Sequence, residues 1–121
     1  MNVEIIKATS DDMEYIHSFK LSKIDNVYII YKDGFKCGIV EFLLKNDYIC
    51  LELIDVEKSF RRLGIGRAVI NYLLHTYGDI FGDCAPNQTS VDFWTAMDAE
   101  FEEDLEEDIE NNSCIPFVVY S

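Results

Sequence analysis

Hydrophobic and polar residues follow two periodicities along this chain, and together they predict an alternating series of strands and helices. Short runs rich in β-branched and aromatic residues, broken by single polar residues, predict strands. Longer stretches with apolar residues three and four positions apart predict helices. The predicted strands are Val3–Lys7, Asn26–Tyr31, Cys37–Leu44, Tyr48–Val56, Asp79–Cys84 and Ile115–Tyr120. The predicted helices run from about Thr9 to Leu21, from Ile65 to Tyr77 and from Thr89 to Met97.

Turn residues separate these elements and indicate how the strands connect. Asp33-Gly34 is a strong hairpin signal, and Lys45-Asn46-Asp47 provides a second turn. Gly78 lies where the helix that begins at Ile65 should stop. We therefore expect an antiparallel meander followed by helix-linked strands, in an α/β domain that spans residues 1–121 and has a sizeable core.

The most informative segment is Arg61-Arg62-Leu63-Gly64-Ile65-Gly66, which joins the predicted strand Tyr48–Val56 to the helix Ile65–Tyr77. Two glycines at such a junction let backbone N–H groups converge on a ligand, and the first helical turn adds partial positive charge. Three of the ten basic residues cluster around the two glycines: Arg61, Arg62 and Arg67. The segment predicts a phosphate cradle, with a plain strand-to-helix connection as the alternative.

The run from Val56 to Gly66 resembles the signature of the GNAT superfamily of acyl-CoA N-acyltransferases, V-x-x-x-[YF]-[RQ]-x-x-G-x-[GA], at all its fixed positions. The segment Asn87–Trp94 is similar to a second family motif, N-x-x-A-x-x-[FL]-Y, with departures. The resemblance implies a mixed, mostly antiparallel sheet with a splayed parallel strand pair and flanking helices. Cys50–Val56 and Asp79–Cys84 are the counterparts of that pair.

The same resemblance implies acetyl-CoA as co-substrate. Backbone groups of Ile54 and Val56 should meet the pantetheine arm and the thioester carbonyl, and the Val56 N–H should polarise that carbonyl. Asn87 matches a position that contacts the pantetheine. The pyrophosphate should lie on the segment formed by Arg61, Arg62, Leu63, Gly64, Ile65, Gly66 and Arg67. Whether the arginine side chains contact phosphate or face solvent is left open.

Acyl transfer to an amine needs a group that takes a proton from the ammonium and another that supplies one to the thiolate. By strand alternation Glu52 shares a face with Cys50 and Ile54, unless a bulge intervenes. We predict Glu52 as the base and Asp83 as the reserve candidate, the alternative for Glu52 being a solvated surface carboxylate. The family's usual acid, a tyrosine, aligns with Trp94, and an indole cannot supply that proton.

Charge narrows the set of partners, because 23 acidic residues against ten basic ones give a formal net charge of −13. Nucleic acid is therefore disfavoured as a ligand. Nine of the carboxylates lie in Asp98–Glu110, which predicts either an amphipathic helix or a frayed loop. This surface either only solubilises the chain or attracts a cationic amine or basic protein acceptor.

Other features exclude further classes. The four cysteines have no metal or redox spacing and there are two histidines, so we expect reduced cysteines and no metal site. The start of the chain lacks signal-peptide character and no apolar run reaches membrane length, which favours a cytoplasmic protein. A homodimer is left open.

Two functions follow from the sequence. The first is transfer of an acetyl group from acetyl-CoA to a primary amine acceptor, either a polyamine or aminoglycoside or a protein lysine. The alternative is a noncatalytic acidic binding or inhibitor module that acts on a basic protein surface. Small size and acidic balance resemble the compact acetyltransferases of phages and mobile elements.

Overall fold

The computed structural model describes residues 2–101 and 105–121 and contains seven strands. The strands are β1 Val3–Lys7, β2 Val27–Lys32, β3 Phe35–Leu44, β4 Tyr48–Val56, β5 Asp79–Cys84, β6 Glu100–Phe101 and β7 Ile115–Val119. They form one sheet in the order β1-β2-β3-β4-β5-β7-β6. β4 and β5 pair in parallel, whereas β1 with β2, β2 with β3, β5 with β7 and β6 with β7 pair antiparallel. The predicted α/β class with a mixed, mostly antiparallel sheet is confirmed.

Four α-helices and two short 3-10 turns connect the described strands. The helices are α1 Met13–His17, α2 Ile65–Tyr77, α3 Gln88–Ala96 and α4 Leu105–Glu110, and the 3-10 turns are Ser10–Asp12 and Lys58–Phe60. No helix in the described part of the chain combines the length and the apolar character needed to cross a membrane.

The chain folds into two compact units. One unit comprises Met1–Leu43 and Glu52–Asn71, and the other comprises Leu44–Leu51 and Tyr72–Ser121. In the first, Ile16 of α1 packs with Val27, Ile29 and Ile39 in a cluster of buried apolar side chains. In the second, the buried rings of Trp94 and Phe117 stack with centroids 4.1 Å apart. The single domain over residues 1–121 stays a prediction.

The first helix is shorter than the predicted span, which reached about Leu21. It ends because Lys20 adopts a left-handed backbone at φ 67°. The N–H of Leu21 donates to the carbonyl of Ile16 at 3.4 Å, and that of Lys20 donates to His17 at 2.9 Å. This is a Schellman termination, and Leu21 packs with the same apolar cluster as Ile16. The predicted end at Leu21 was wrong because this local motif stops the helix first.

The acidic stretch does not form one continuous helix. Residues 100 and 101 form β6, in which Phe101 pairs with Phe117 of β7 in register and in an edge-to-face ring contact. Cross-strand aromatic pairing competes with a helix whose carboxylates repel one another. A helix resumes at Leu105, while the part of the prediction on residues 102–104 lies outside the described residues.

The Asp33-Gly34 turn and the apolar stripe predicted on α2 can be compared directly with the structure. Asp33 and Gly34 have φ of 52° and 88°, as a two-residue hairpin between β2 and β3 requires. The stripe predicted on α2 is right for Ile65, Val69 and Leu73, which are buried. It is wrong for Tyr72 and Thr76, which are exposed, whereas the neighbouring Ile70 is buried.

Gly78 ends α2 in a conformation that allows no side chain. Its φ is 100°, and an added Cβ would meet the carbonyl oxygen of Asp47 at 2.5 Å. We expect Gly78→Ala to lower the free energy of unfolding by about 3 kcal/mol, because positive φ and a backbone clash act together. Urea denaturation measures the change. Gly34→Ala is the matched control, because its φ of 88° is similar but nothing lies within 4 Å. That control should lose only about 1 kcal/mol, and equal losses in the two variants would contradict the role of Asp47.

Candidate functional site

The end of β4 approaches β3 more closely than an ordinary pair of strands does. A Cβ added at Gly38 would meet the carbonyl oxygen of Asp55 and would lie 2.9 Å from the Cα of Val56. The N–H of Glu57 donates to the carbonyl of Cys37 at 2.7 Å. Glycine at position 38 is therefore what allows the two backbones to meet here.

Two hydrogen bonds join β3 to the start and the end of β4. In the stretch bounded by these two bonds, β4 has one residue more than β3. At the hairpin, the N–H of Lys45 donates to Tyr48 at 2.9 Å, and at the other end Glu57 donates to Cys37. Eight residues lead from Cys37 to Lys45, but nine lead from Tyr48 to Glu57. An extra residue of this kind is a β-bulge, which bends a strand and re-aims its groups. It interrupts the strict alternation on β4 on which the predicted faces of Glu52 and Ile54 depend.

The connection from β4 to α2 has a fixed backbone. Lys58–Phe60 forms a 3-10 turn, Arg62 has φ 66° and Gly64 has φ 79°. At the start of α2 the Ala68 N–H donates to the Gly64 carbonyl at 3.0 Å. The N–H groups of residues 65 and 66 lie before that donor in the first turn of α2, which carries no acidic residue. Such a helix start can stabilise an anion such as a pyrophosphate.

Arg61 binds back to the strand that precedes it. Its Nε donates to the carbonyl of Val56 at 2.9 Å, and its Nη2 lies 3.3 Å from Oδ1 of Asp55. The ion pair is exposed, so it adds little stability by itself, but it gives the guanidinium a defined partner. The exposed Arg61 side chain therefore also holds the shape of the loop, and its contact with phosphate stays a prediction. Arg62, Leu63 and Arg67 are exposed.

Glu52 lies exposed on β4 and is electrostatically coupled to Glu41 of β3. Burial raises the pKa of the Glu41 carboxyl, and the negative charge of Glu52 raises it further. Sequence reasoning missed Glu41. The hairpin turn could have found it, because pairing that runs back from Lys45 and Tyr48 places Glu41 opposite Glu52.

In the second unit, β4 and β5 pair in parallel from Tyr48 with Asp79 to Leu51 with Gly82. Asp83 is exposed on β5 and faces Pro116 of β7 in register. Asn87 is the N-cap of α3, and its Oδ1 accepts from the Ser90 N–H at 2.9 Å. Asn87 thus has a structural task besides the pantetheine contact predicted for it.

Trp94 is buried on α3 and lies between two aromatic rings. It stacks on Phe117 and makes an edge-to-face contact with Phe93 at a centroid distance of 5.0 Å. Since an indole has no accessible acidic proton, this position contributes packing and no proton.

Tyr15 and Glu57 form a contact that no local sequence pattern predicts. The Tyr15 hydroxyl donates to Oε2 of Glu57 at 2.7 Å, although the residues are 42 positions apart. Burial raises the pKa of Tyr15, and so do the hydrogen bond to Glu57 and its negative charge. The phenol therefore stays protonated and acts as a donor.

No cluster of three or more His, Cys, Asp or Glu side chains suited to a metal ion occurs among residues 2–101 and 105–121. The absence of a metal from the working protein stays a prediction.

Comparison with solved structures defines the fold. The chain is similar to the N-acetyltransferase YlbP of Bacillus subtilis in complex with coenzyme A, at 17% identity and a TM-score of 0.72, covering 99% of this chain and 96% of that one. It is similar to Naa50 of Arabidopsis thaliana in complex with the bisubstrate analogue CoA-Ac-MVNAL, at 13% identity and a TM-score of 0.71, covering 98% of each chain. A GNAT-family acetyltransferase of Staphylococcus aureus Mu50 matches at 13% identity and a TM-score of 0.67, covering 98% of this chain and 99% of that one.

The sequence itself matches no family model and no curated protein. The fold of this chain is nevertheless that of the GNAT N-acetyltransferases, over nearly its full length. The resemblance first seen in Val56–Gly66 is thereby confirmed at the level of the fold.

The raised pKa of Glu41 makes a prediction about stability and pH. Because the folded protein holds this proton more tightly than the unfolded chain does, stability falls as pH rises above the ordinary value of 4.5. Glu41→Gln should therefore be more stable than the wild type at pH 7, by about 0.5 kcal/mol after solvent screening. The gain should shrink as pH falls below 4.5, because Glu41 then becomes protonated in both states.

Urea denaturation at the two pH values measures this difference. Glu52→Gln is the comparison variant, because it removes the neighbouring charge and leaves Glu41 half-buried. It should give a smaller gain at pH 7. A loss of stability in Glu41→Gln at pH 7 would contradict the assignment.

Proposed function

We propose that this protein transfers an acetyl group from acetyl-CoA to a primary amine. The observation that carries the proposal is the junction between β4 and α2, where left-handed residues at Arg62 and Gly64 precede a helix start without acidic residues. The junction stands in a fold shared with acetyltransferases whose structures contain coenzyme A. A cytoplasmic location and a possible homodimer remain predictions from the sequence.

The coenzyme binds mainly through backbone groups. The N–H groups at the start of α2 bind the pyrophosphate, together with the backbone of Arg61, Arg62, Leu63, Gly64, Ile65, Gly66 and Arg67. Ile54 and Val56 pair with the pantetheine arm as a neighbouring strand would, and Asn87 contributes through the amide group of its side chain. The Val56 carbonyl accepts from Arg61. The Val56 N–H is the donor that polarises the thioester carbonyl.

The reaction then follows from the chemistry of amines and thioesters. The carboxylate of Glu52 takes a proton from the acceptor ammonium, and the amine nitrogen attacks the carbonyl carbon of the thioester. A carbon–nitrogen bond forms and the carbon–sulfur bond breaks. The nitrogen releases its second surplus proton to water, and the thiolate takes a proton from water, because Trp94 cannot supply one. The half-buried Glu41 next to Glu52 adds negative charge that favours a cationic acceptor.

Coenzyme binding tests the proposal most directly. We expect calorimetry to detect acetyl-CoA binding with a Kd between about 1 μM and 1 mM, the usual range of KM values. The double change Gly64→Val and Gly66→Val should weaken binding at least about tenfold, because a β-branched residue cannot adopt φ 79° and fills the space next to the amides. Gly34→Val is the matched control, because it makes the same change at a positive φ in the β2–β3 turn. No binding by the wild type at about 1 mM ligand would reject the proposal.

Label transfer from acetyl-CoA to a panel of polyamines, aminoglycosides, amino acids and basic proteins identifies the acceptor. With an acceptor in hand, Glu52→Gln should lower kcat by about 10²-fold, the usual contribution of a general base. Asp83→Asn should change kcat less than about threefold, because Glu52 is assigned as the base and Asp83 only as the reserve candidate. The opposite ranking would transfer the role of base to Asp83.

A noncatalytic acidic module is the second candidate. It is favoured by the packing of Trp94 in the place of the usual acid and by the net charge of −13. Such a module would bind a basic protein without coenzyme and would keep its activity in the Gly64 and Gly66 double variant.

A further inference from the structure

Several hydrogen bonds converge on the last residues of β4. The N–H of Glu57 donates to Cys37, and the side chain of Arg61 donates to the Val56 carbonyl. The carboxylate of Glu57 accepts from the Tyr15 hydroxyl at 2.7 Å. The backbone of Val56 is thus held by β3 on one side, by the following loop on another, and by α1 through its neighbour Glu57.

The Tyr15 ring is itself fixed from several directions. It makes an edge-to-face contact with Phe19 at 5.2 Å, and Nζ of Lys36 lies 5.3 Å from its centroid. Lys36 is held in turn by Asp12, whose Oδ1 lies 2.9 Å from Nζ. A ring with this many contacts directs its hydroxyl to one place, so the bond to Glu57 has a defined geometry.

Helix α1, which carries Tyr15, is itself fixed by a helix cap and by a buried side chain. Thr9 and Asp12 form a capping box at the start of the helical segment, and Ile16, next to Tyr15, is completely buried. The hydrogen bond from the Thr9 N–H and the ion pair with Lys36 lower the pKa of Asp12, and the hydrogen bond to Asp12 raises the pKa of Lys36. These contacts fix the position of the Tyr15 hydroxyl, and through it the position of Glu57 at the end of β4.

We propose that Tyr15 is a positioning residue for acetyl transfer, because it holds Glu57 and thereby aims the neighbouring Val56 N–H at the thioester carbonyl. This inference rests on the proposed function. The role is one of alignment: a hydrogen-bond donor must lie within a few tenths of an ångström of the developing oxyanion to be effective. The pyrophosphate cradle is a separate element of the same chain segment, so loss of the hydroxyl affects the reaction more than coenzyme affinity.

Tyr15→Phe removes only the hydroxyl and tests the inference. NMR hydrogen exchange of the Glu57 amide reports directly on the end of β4 and needs no activity. We expect its exchange rate to rise at least about tenfold in the variant, while kcat falls about tenfold and the Kd for acetyl-CoA changes less than about twofold.

Two further variants separate positioning from general damage. Glu57→Gln keeps an oxygen that accepts from Tyr15, so it should retain kcat within about threefold, whereas Glu57→Leu should resemble Tyr15→Phe. Tyr28→Phe is the matched control, because it removes a hydroxyl from another half-buried tyrosine of the same unit. It should leave the exchange of the Glu57 amide unchanged.

The outcomes separate this inference from the proposed function. Unchanged exchange of the Glu57 amide in Tyr15→Phe overturns the inference, and so does faster exchange with unchanged kcat in an active enzyme. If the wild type binds no acetyl-CoA and transfers no label, the proposed function fails and the positioning role for acetyl transfer fails with it. Faster exchange in that case would show only that Tyr15 holds β4. If Glu57→Gln loses as much kcat as Glu57→Leu, the charge of Glu57 is what matters and the role assigned to Tyr15 is wrong.

Discussion

The close approach of Gly38 to the backbone of Asp55 and Val56 is the constraint on which the candidate site depends. No residue with a side chain fits there, since a Cβ would overlap a carbonyl oxygen. The approach accompanies the extra residue of β4, and a bulge redirects the N–H and carbonyl groups that follow it. A strand that must bind a ligand through its own backbone needs such a departure, because regular pairing would consume the same groups.

Groups outside β4 stabilise the irregular backbone at the end of this strand. Cys37 accepts from the Glu57 amide, Arg61 returns to the Val56 carbonyl, and Tyr15 reaches Glu57 from the first helix. Each bond alone adds of the order of 1 kcal/mol to stability, a small amount compared with burial of the apolar cluster around Ile16 and Ile39. Their main effect is therefore geometric. Together they restrict the backbone conformation at the end of β4, where β3 does not form regular strand pairing with it.

The parts of this structure that local chemistry determines could be read from the sequence. The Asp33-Gly34 turn, the strand Tyr48–Val56 and the helix Ile65–Tyr77 each depend on residues close together in the chain, and each is found where expected. The features that were missed depend on distant residues. Glu57 meets Tyr15 across 42 positions, and the extra residue of β4 is visible only once β3 is paired with it. A one-dimensional pattern carries no information on such contacts unless a register is already known.

The acidic character of the chain does not by itself define a site. Two basic residues near the candidate site are engaged in local pairs, Arg61 with Asp55 and Lys36 with Asp12, whereas Glu41 and Glu52 repel each other. Repulsion between two carboxylates lowers the stability of the empty protein, and a cation that lies between them relieves it. The Glu41–Glu52 pair on neighbouring strands therefore lowers folding stability and raises affinity for a positively charged group. In the proposed reaction Trp94, which is buried against Phe117, supplies no proton to the thiolate, and attraction of a cationic acceptor is the step that these carboxylates would accelerate.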